Sequence, residues 1–349
     1  MKTERKVSIA MCTYNGEKYI REQLDSIVNQ TYPIDEVIIQ DDHSKDGTMQ
    51  ILLEYAERYP FIQVYQNNPA LGINANFLTC IQRTTGDYIA IADQDDIWEA
   101  KKIEWQMESI DDNLLSSGFS KPFAEGGVPI QFDHRIPNLS LERLLFVGSL
   151  PGHTQLLSRD FLTMIPDLNK GLDCFMYDHL FQVGAAIYKR IHFCDQVLVH
   201  QRRHLSAATY GKPLDNRKTL GNAFRTLQRT FREYRILRPH IQRYFAKVYD
   251  FLSDFPDEGT YKQDAQQLAY HFSKTGLWNY LRLMRLCVKC RHKLFYVPEK
   301  NPLLSILRAM LFPITCGDYF RWMAGLKERN TPIDLKKGCI SSRNTAFLI

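Results

Sequence analysis

The first hundred residues alternate short apolar runs with amphipathic stretches. Val7 to Cys12 is a strand-like run, after which Tyr19, Ile20, Leu24, Ile27 and Val28 recur at helical spacing. A second strand is predicted at 37–40, then a helix at 47–59, a strand at 61–66, a helix at 73–83 and a strand at 88–92. Strands and helices alternating at this interval predict a mostly parallel sheet with helices on its faces. Ligands of such sheets bind beyond the carboxyl ends of the strands.

Acidic residues stand at those ends. Asp41 and Asp42 close the second strand, and Asp93, Asp95 and Asp96 follow the fourth. Two like charges about 4 Å apart repel by roughly 1 kcal/mol in water and roughly 4 kcal/mol at an effective dielectric near 20. Mg²⁺ or Mn²⁺, which prefer oxygen ligands, would relieve that repulsion. Alternation along a strand end places Asp93 and Asp95 on one side and Gln94 on the other. The competing reading is an Asp-rich turn that caps a helix beginning near Ile97 and binds nothing. Two acidic strand ends sharing one crevice weigh toward a ligand.

Several separate motifs, in order, carry a family resemblance. They are Val7-Ser8-Ile9 with Thr13-Tyr14-Asn15-Gly16, Gln30-Thr31-Tyr32-Pro33, Asp41-Asp42-His43-Ser44-Lys45-Asp46-Gly47-Thr48, Gly86-Asp87-Tyr88-Ile89 and Asp93-Gln94-Asp95-Asp96-Ile97-Trp98. Together they resemble the family-two glycosyltransferases, enzymes of the GT-A fold that use nucleotide-sugar donors. Leu71-Gly72 with Asn76-Phe77 is similar to the bacterial rhamnosyltransferase-like branch. The resemblance spans about residues 6–205. It implies that Thr13, Tyr14, Asn15 and Asn76 line the nucleotide pocket and that Asp42 holds a uracil or thymine ring N–H. Asp93 is then expected near the ribose and diphosphate, with Asp95, Asp93 and His204 about the metal. Where many relatives carry Pro before Thr13 this chain has Cys12, a packing difference.

Further along, Gly148 to Gln155 reads as an ordinary turn, whereas the resemblance implies an acceptor-side loop there, with His153 or Thr154 near the sugar. Asp178 opens an apolar helical run. There it is stabilised by the macrodipole whatever its role, but the matching family position is the catalytic base of inverting members, with Asp173 as the backup. A carboxylate with an ordinary pKa near 3.9 is ionised at neutral pH and can take the acceptor hydroxyl proton. Arg203 in Val197-Leu-Val-His-Gln-Arg-Arg203 is expected to clamp the diphosphate. Residues 109–150, rich in Gly, Pro and Ser, read as loops.

The chain divides by composition into a catalytic region, 1–212, and a basic, mostly helical region, 213–349. From Asn216 to Lys247 nine Lys or Arg face one acid, Glu233, and from Tyr280 to Tyr296 there are five basic residues and no acid. Pro239 is expected to separate two helices. These cationic amphipathic helices read either as a bundle packed on the first region or as a docking face for an anionic membrane, where polyprenyl-linked glycan acceptors reside. No nucleic-acid reader motif is present. Neither a signal-peptide core nor an apolar run of 18 residues is evident, so a cytoplasmic enzyme is expected, peripheral on the inner membrane face. Eight scattered cysteines fit a reducing compartment, and Cys287-x-x-Cys290 with His292 is a weak zinc pattern. Thr13-Tyr14-Asn15-Gly16 is no Gly-rich phosphate loop, which disfavours a dehydrogenase or nucleotidyltransferase. A non-catalytic membrane adaptor of the same fold is the remaining alternative.

Overall fold

A computed structural model describes residues 5–124, 130, 132–203, 220–296 and 299–326, with backbone only for 220–226. The N-terminal half runs β1 (Val7–Thr13), α1 (Ile20–Val28), β2 (Glu36–Asp41), α2 (Thr48–Arg58), β3 (Ile62–Gln66), α3 (Ile73–Arg83), β4 (Tyr88–Ala92), β5 (Ile97–Trp98), α4 (Lys102–Ser109) and β6 (Leu115–Ala124). There follow α5 (Leu141–Leu144), a 3₁₀ turn (Gly152–Thr154), β7 (Leu156–Ser158), α6 (Arg159–Met164), α7 (Leu168–Leu172), α8 (Tyr177–Ile187) and β8 (Ile191–Arg203). The C-terminal helices are α9 (Leu220–Ser253), α10 (Gln263–Ser273), α11 (Leu277–Lys289), α12 (Arg291–Leu294) and α13 (Pro302–Thr315), and α13 continues as a 3₁₀ segment to Ala324.

One eight-stranded sheet has the order β3-β2-β1-β4-β7-β6-β8-β5. Its first four strands are parallel; β7 runs antiparallel to β4 and to β6, and β8 pairs parallel to β6 and antiparallel to β5. Strand alternation divides the apolar side chains between two faces. Val7, Ile9 and Met11 pack with α1, α2 and α4, whereas Ala10, Ile89 and Ile91 pack with α3, α8 and the C-terminal helices. The helical region therefore shares a core with the sheet.

Three expectations change. Residues 109–150 are not simply loops: they contain β6 and α5, and Phe146 lies against Phe245, Phe272 and Phe312 at centroid distances of 5.2, 5.4 and 4.9 Å. Pro239 does not end a helix, for α9 runs 34 residues through it. Its position is exposed, so the carbonyl deprived of an N–H partner by the ring is close to water. Finally, Pro302–Ala324 is long and apolar enough, by length and composition, to cross a membrane, although part of it is buried.

The zinc pattern does not assemble. Cys287 and Cys290 are buried while His292 is exposed, and the seven cysteines among the described residues are free. Cys290 lies near Glu142 and Asp264, but Lys293 and Lys289 already neutralise those carboxylates, at 2.6 Å each. Burial pushes the Cys290 thiol up to about 12, so it stays protonated.

Candidate functional site

The crevice opens where β1, β2 and β4 end. Asn15 adopts a left-handed backbone (φ 49°), which Asn tolerates better than most residues. Its Oδ1 accepts from Lys45 N at 2.8 Å and its N–H donates to Ser44 Oγ at 2.8 Å. The turn after β1 is thereby tied to the turn after β2. On the other side Gln94, turned away from its acidic neighbours, grips Tyr14: Tyr14 N donates to Gln94 Oε1 at 2.8 Å and Gln94 Nε2 to the Tyr14 carbonyl at 3.0 Å. Tyr14 remains more than half exposed.

Thr13 turns inward, its hydroxyl donating to Asp41 Oδ1 at 2.8 Å. Asp42 Oδ1 accepts from Leu71 N (2.6 Å) and Asn67 Nδ2 (2.8 Å), and its Oδ2 from Gly72 N (2.9 Å). Asn76 is buried, giving Nδ2–H to the Gln40 carbonyl and accepting from Asn67. Thr13 and Asn76 thus shape the floor and carry the 67–72 loop. Asp42 keeps part of its accepting capacity, because a carboxylate has about four lone-pair sites and three are used.

Across the crevice the acidic loop does not form the helix-capping turn that was the competing reading. Ile97 and Trp98 form β5 against Val199 and His200, and the next helix starts only at Lys102. Asp96 is buried; its Oδ1 accepts Arg202 N–H at 3.0 Å. His153, held by the 3₁₀ turn, places Nδ1 at 3.1 Å from both Asp93 Oδ2 and Asp96 Oδ2, while Nε2 meets Ser120 Oγ at 2.8 Å. One N–H serves one acceptor well, and Asp96 Oδ2 is left without a hydrogen-bond partner. Burial, then Asp95 and Asp93, raise the Asp96 carboxyl against the opposing pull of His153. Burial works against a charged His153, but Asp96, Asp93 and Asp95 outweigh it and raise that ring as well.

Asp93, Asp96 and His153 offer ligand atoms within 4.8 Å of one another. The structure gathers this set, where the sequence pointed to Asp93, Asp95 and His204. Asp95 stands beside it, half-buried, and His204 lies outside the described residues. Two carboxylates, one of them with a buried oxygen left unpartnered, and an imidazole nitrogen fit a divalent cation such as Mg²⁺ or Mn²⁺. Thr154 is buried instead, its hydroxyl bonded to Ser117 and the Pro151 carbonyl.

Asp178 opens α8 beside this cluster. Tyr177 N donates to Asn74 Oδ1 at 3.1 Å, fastening α8 to the start of α3. Gly152 permits the approach: a Cβ there would stand 2.6 Å from Tyr177 Oη and 3.2 Å from Asp178 Cβ. Burial first, with Asp93 adding, pushes the Asp178 carboxyl up to about 6 against the opposing His179 N–H and His153. Asp93 and Asp42 both help raise the buried Cys12 thiol, behind burial itself and Cys80. Cys12 is therefore the floor between the two acidic strand ends, and Asp93 is within electrostatic reach of Asp178. Asp173, the backup base, is exposed and lies 3.8 Å from Lys247 Nζ.

The arginines divide the work. Arg203 feels Asp96, although burial lowers its pKa more than that carboxylate raises it. Arg202, which the sequence offered with Arg203 only as positive charge for a diphosphate, instead braces the acidic loop. Its Nε donates to the Asp95 carbonyl at 3.1 Å and Nη2 to Glu22 at 2.6 Å, and its guanidinium lies 4.7 Å from the ring centroids of both Tyr19 and Phe123. The one sequence signal was the arginine doublet after an apolar strand.

A mixed sheet whose acidic strand ends meet one crevice, with helices on both faces and a helical C-terminal region, is the GT-A fold. The chain belongs to glycosyl transferase family 2, whose profile matches residues 8–155. The putative teichuronic acid biosynthesis glycosyltransferase TuaG of Bacillus subtilis is 32% identical over 193 residues, covering 52% of this chain and 74% of TuaG. The uncharacterized Mycobacterium tuberculosis protein Rv1520 is 34% identical over 163 residues, 45% of this chain and 44% of its own, so the match spans less than half of that relative. In Escherichia coli, the UDP-Glc:alpha-D-GlcNAc-diphosphoundecaprenol beta-1,3-glucosyltransferase WfgD is 36% identical over 110 residues, 32% of this chain and 43% of WfgD. The crystal structure of S. aureus TarS 1–349 with UDP-GlcNAc covers 94% of this chain and 95% of that one, with TM-score 0.50 and 17% identity, a likeness of fold.

Proposed function

We propose that this protein is an inverting, metal-assisted glycosyltransferase. It moves a sugar from a UDP- or dTDP-linked donor to a hydroxyl of a glycan or polyprenyl-linked glycan in cell-surface polysaccharide synthesis, working at the cytoplasmic face of the membrane. The observation that carries the reading is the meeting of Asp93, Asp96 and His153 with Asp178 in one crevice, two of them touching through His153 and the last brought in by Gly152. TuaG, named for teichuronic acid biosynthesis, and WfgD, named for a GlcNAc-diphosphoundecaprenol acceptor, support the acceptor class.

Asp42, with accepting capacity left, would take the imide N–H of uracil or thymine, and Tyr14 offers an exposed ring beside it. Asp93, Asp96 and His153, with Asp95 adjacent, would hold the divalent ion. That ion would stabilise negative charge on the departing diphosphate. Arg203 adds a fixed positive charge on the same side. Asp178 takes the proton of the acceptor hydroxyl as its oxygen bonds to the anomeric carbon and the bond to the nucleoside diphosphate breaks. Attack opposite the leaving group inverts the centre, so a dTDP-β-L-rhamnose donor would give an α-linkage.

The test is release of nucleoside diphosphate by purified protein across UDP-, GDP- and dTDP-sugars, paired with calorimetric binding of the free diphosphates. Mn²⁺-dependent binding of UDP or dTDP is expected, and Asp95→Asn should weaken it roughly ten-fold or more. A protein that binds none of them with or without Mn²⁺ is instead the non-catalytic adaptor.

A further inference from the structure

The helices α11 and α13 pack on one another and into the core through Leu283, Leu286, Ala309 and Phe312. A helix at a protein surface is expected to turn polar residues outward. These two keep Leu277, Trp278 and Leu281, and Leu303, Leu307 and Met310, outside; Trp278 is 79% and Leu303 78% exposed. Single exposed leucines need no explanation. Here, though, nine of the 18 large exposed apolar residues among the described residues fall between Leu277 and Trp322. In α13 only Arg308 is charged, so the helix is apolar all round with protein on one side.

Charge identifies what covers the other side. Between residues 265 and 317 there are eight Lys or Arg and one acid, Glu299. Some are engaged, Lys289 and Lys293 by Asp264 and Glu142, but Arg282, Arg285 and Lys300 are exposed beside the apolar face. A second copy of the chain would set the same positive charges against themselves. An anionic lipid surface offers both the apolar layer and the complementary charge. Spanning is disfavoured even though Pro302–Ala324 has the length for it, because part of that segment is buried and the inner side of α13 is committed to α9 and α11.

We propose that the outer faces of α11 and α13 are a membrane-docking surface that lies in the plane of an anionic bilayer, with Arg282, Arg285 and Lys300 at headgroup level. The inference rests on the glycosyltransferase reading for its purpose, delivery of a lipid-linked acceptor, but not for its existence. The experiment is flotation of the full chain with phosphatidylcholine vesicles with and without phosphatidylglycerol, alongside light-scattering mass and nucleotide binding in solution. The wild type should float with phosphatidylglycerol and lose that binding in high salt. Leu303→Glu with Leu307→Glu should weaken it roughly ten-fold or more, and Arg282→Glu with Arg285→Glu should remove its preference for the anionic lipid; both should leave UDP or dTDP binding unchanged. Failure of the wild type to float, wild-type flotation by the leucine variant, or a dimer that this variant dissolves without any vesicle binding would each overturn the docking surface. Flotation without nucleotide binding would instead overturn the glycosyltransferase reading and leave the surface standing.

Discussion

Asp178→Asn is expected to lower sugar transfer by on the order of 10² to 10⁴-fold while leaving Mn²⁺-dependent binding of the nucleoside diphosphate intact. The amide is nearly isosteric and keeps an oxygen for the His179 N–H that Asp178 Oδ1 accepts at 2.9 Å. What it lacks is a basic oxygen for the acceptor proton. The wild-type pH profile gives an independent check. A carboxyl pushed up to about 6 is protonated below that pH, where it cannot act as a base. Turnover should therefore rise with pH through about 6 and level off above it, the acid limb moving lower where a bound cation offsets the charge of Asp93. A variant with normal turnover, or one that loses nucleotide binding in parallel, removes the base role.

Arg202→Leu should cost about 2 to 4 kcal/mol of stability, from the charged hydrogen bonds and the cation–π contacts it deletes. Metal-dependent nucleotide affinity should fall roughly 10- to 100-fold, as it does when residues that orient a metal site are lost. The physical reason lies in the Asp95 carbonyl, which Arg202 Nε holds at 3.1 Å. Release of that carbonyl frees the backbone on which Asp95 and Asp96 are mounted. Arg202→Lys keeps the charge but not the planar fork that reaches the carbonyl and Glu22 together, and should fall between wild type and leucine. Thermal unfolding and calorimetry on the same preparations separate the two effects. Unaltered affinity in the leucine variant would reduce Arg202 to a packing residue.

The first four strands and their helices were legible because each rests on a local period. Buried parallel strands such as Val7–Thr13 are mostly apolar runs, and α1 repeats Ile20, Leu24 and Ile27 toward the sheet. The acidic strand ends were legible for the same reason. The set of groups around His153 was not. His153 reaches Asp93 and Asp96 because β7 returns antiparallel beside β4 and carries the 3₁₀ turn to its end, a register that no local pattern encodes. Nor does strand alternation foretell that Asp96 turns inward: Ile97 and Trp98 pair with β8, a hundred residues away in sequence. The bracing of the acidic loop by Arg202 was hidden by the same long-range pairing. Phe146 shows the converse error, for a Gly- and Pro-rich surrounding masked a side chain enclosed by aromatic rings, Phe245, Phe272 and Phe312 among them.

Asp93, Asp96 and His153 facing Asp178 across one crevice is an arrangement of charge that a crystal grown with Mn²⁺ and UDP or dTDP reads out through anomalous scattering. The expected result is a manganese peak bonded by carboxylates of the 93–96 loop and by the diphosphate, with the Asp178 carboxylate facing the far side of the space where the sugar would sit. A nucleotide bound elsewhere, or an ion that ignores this loop, contradicts it.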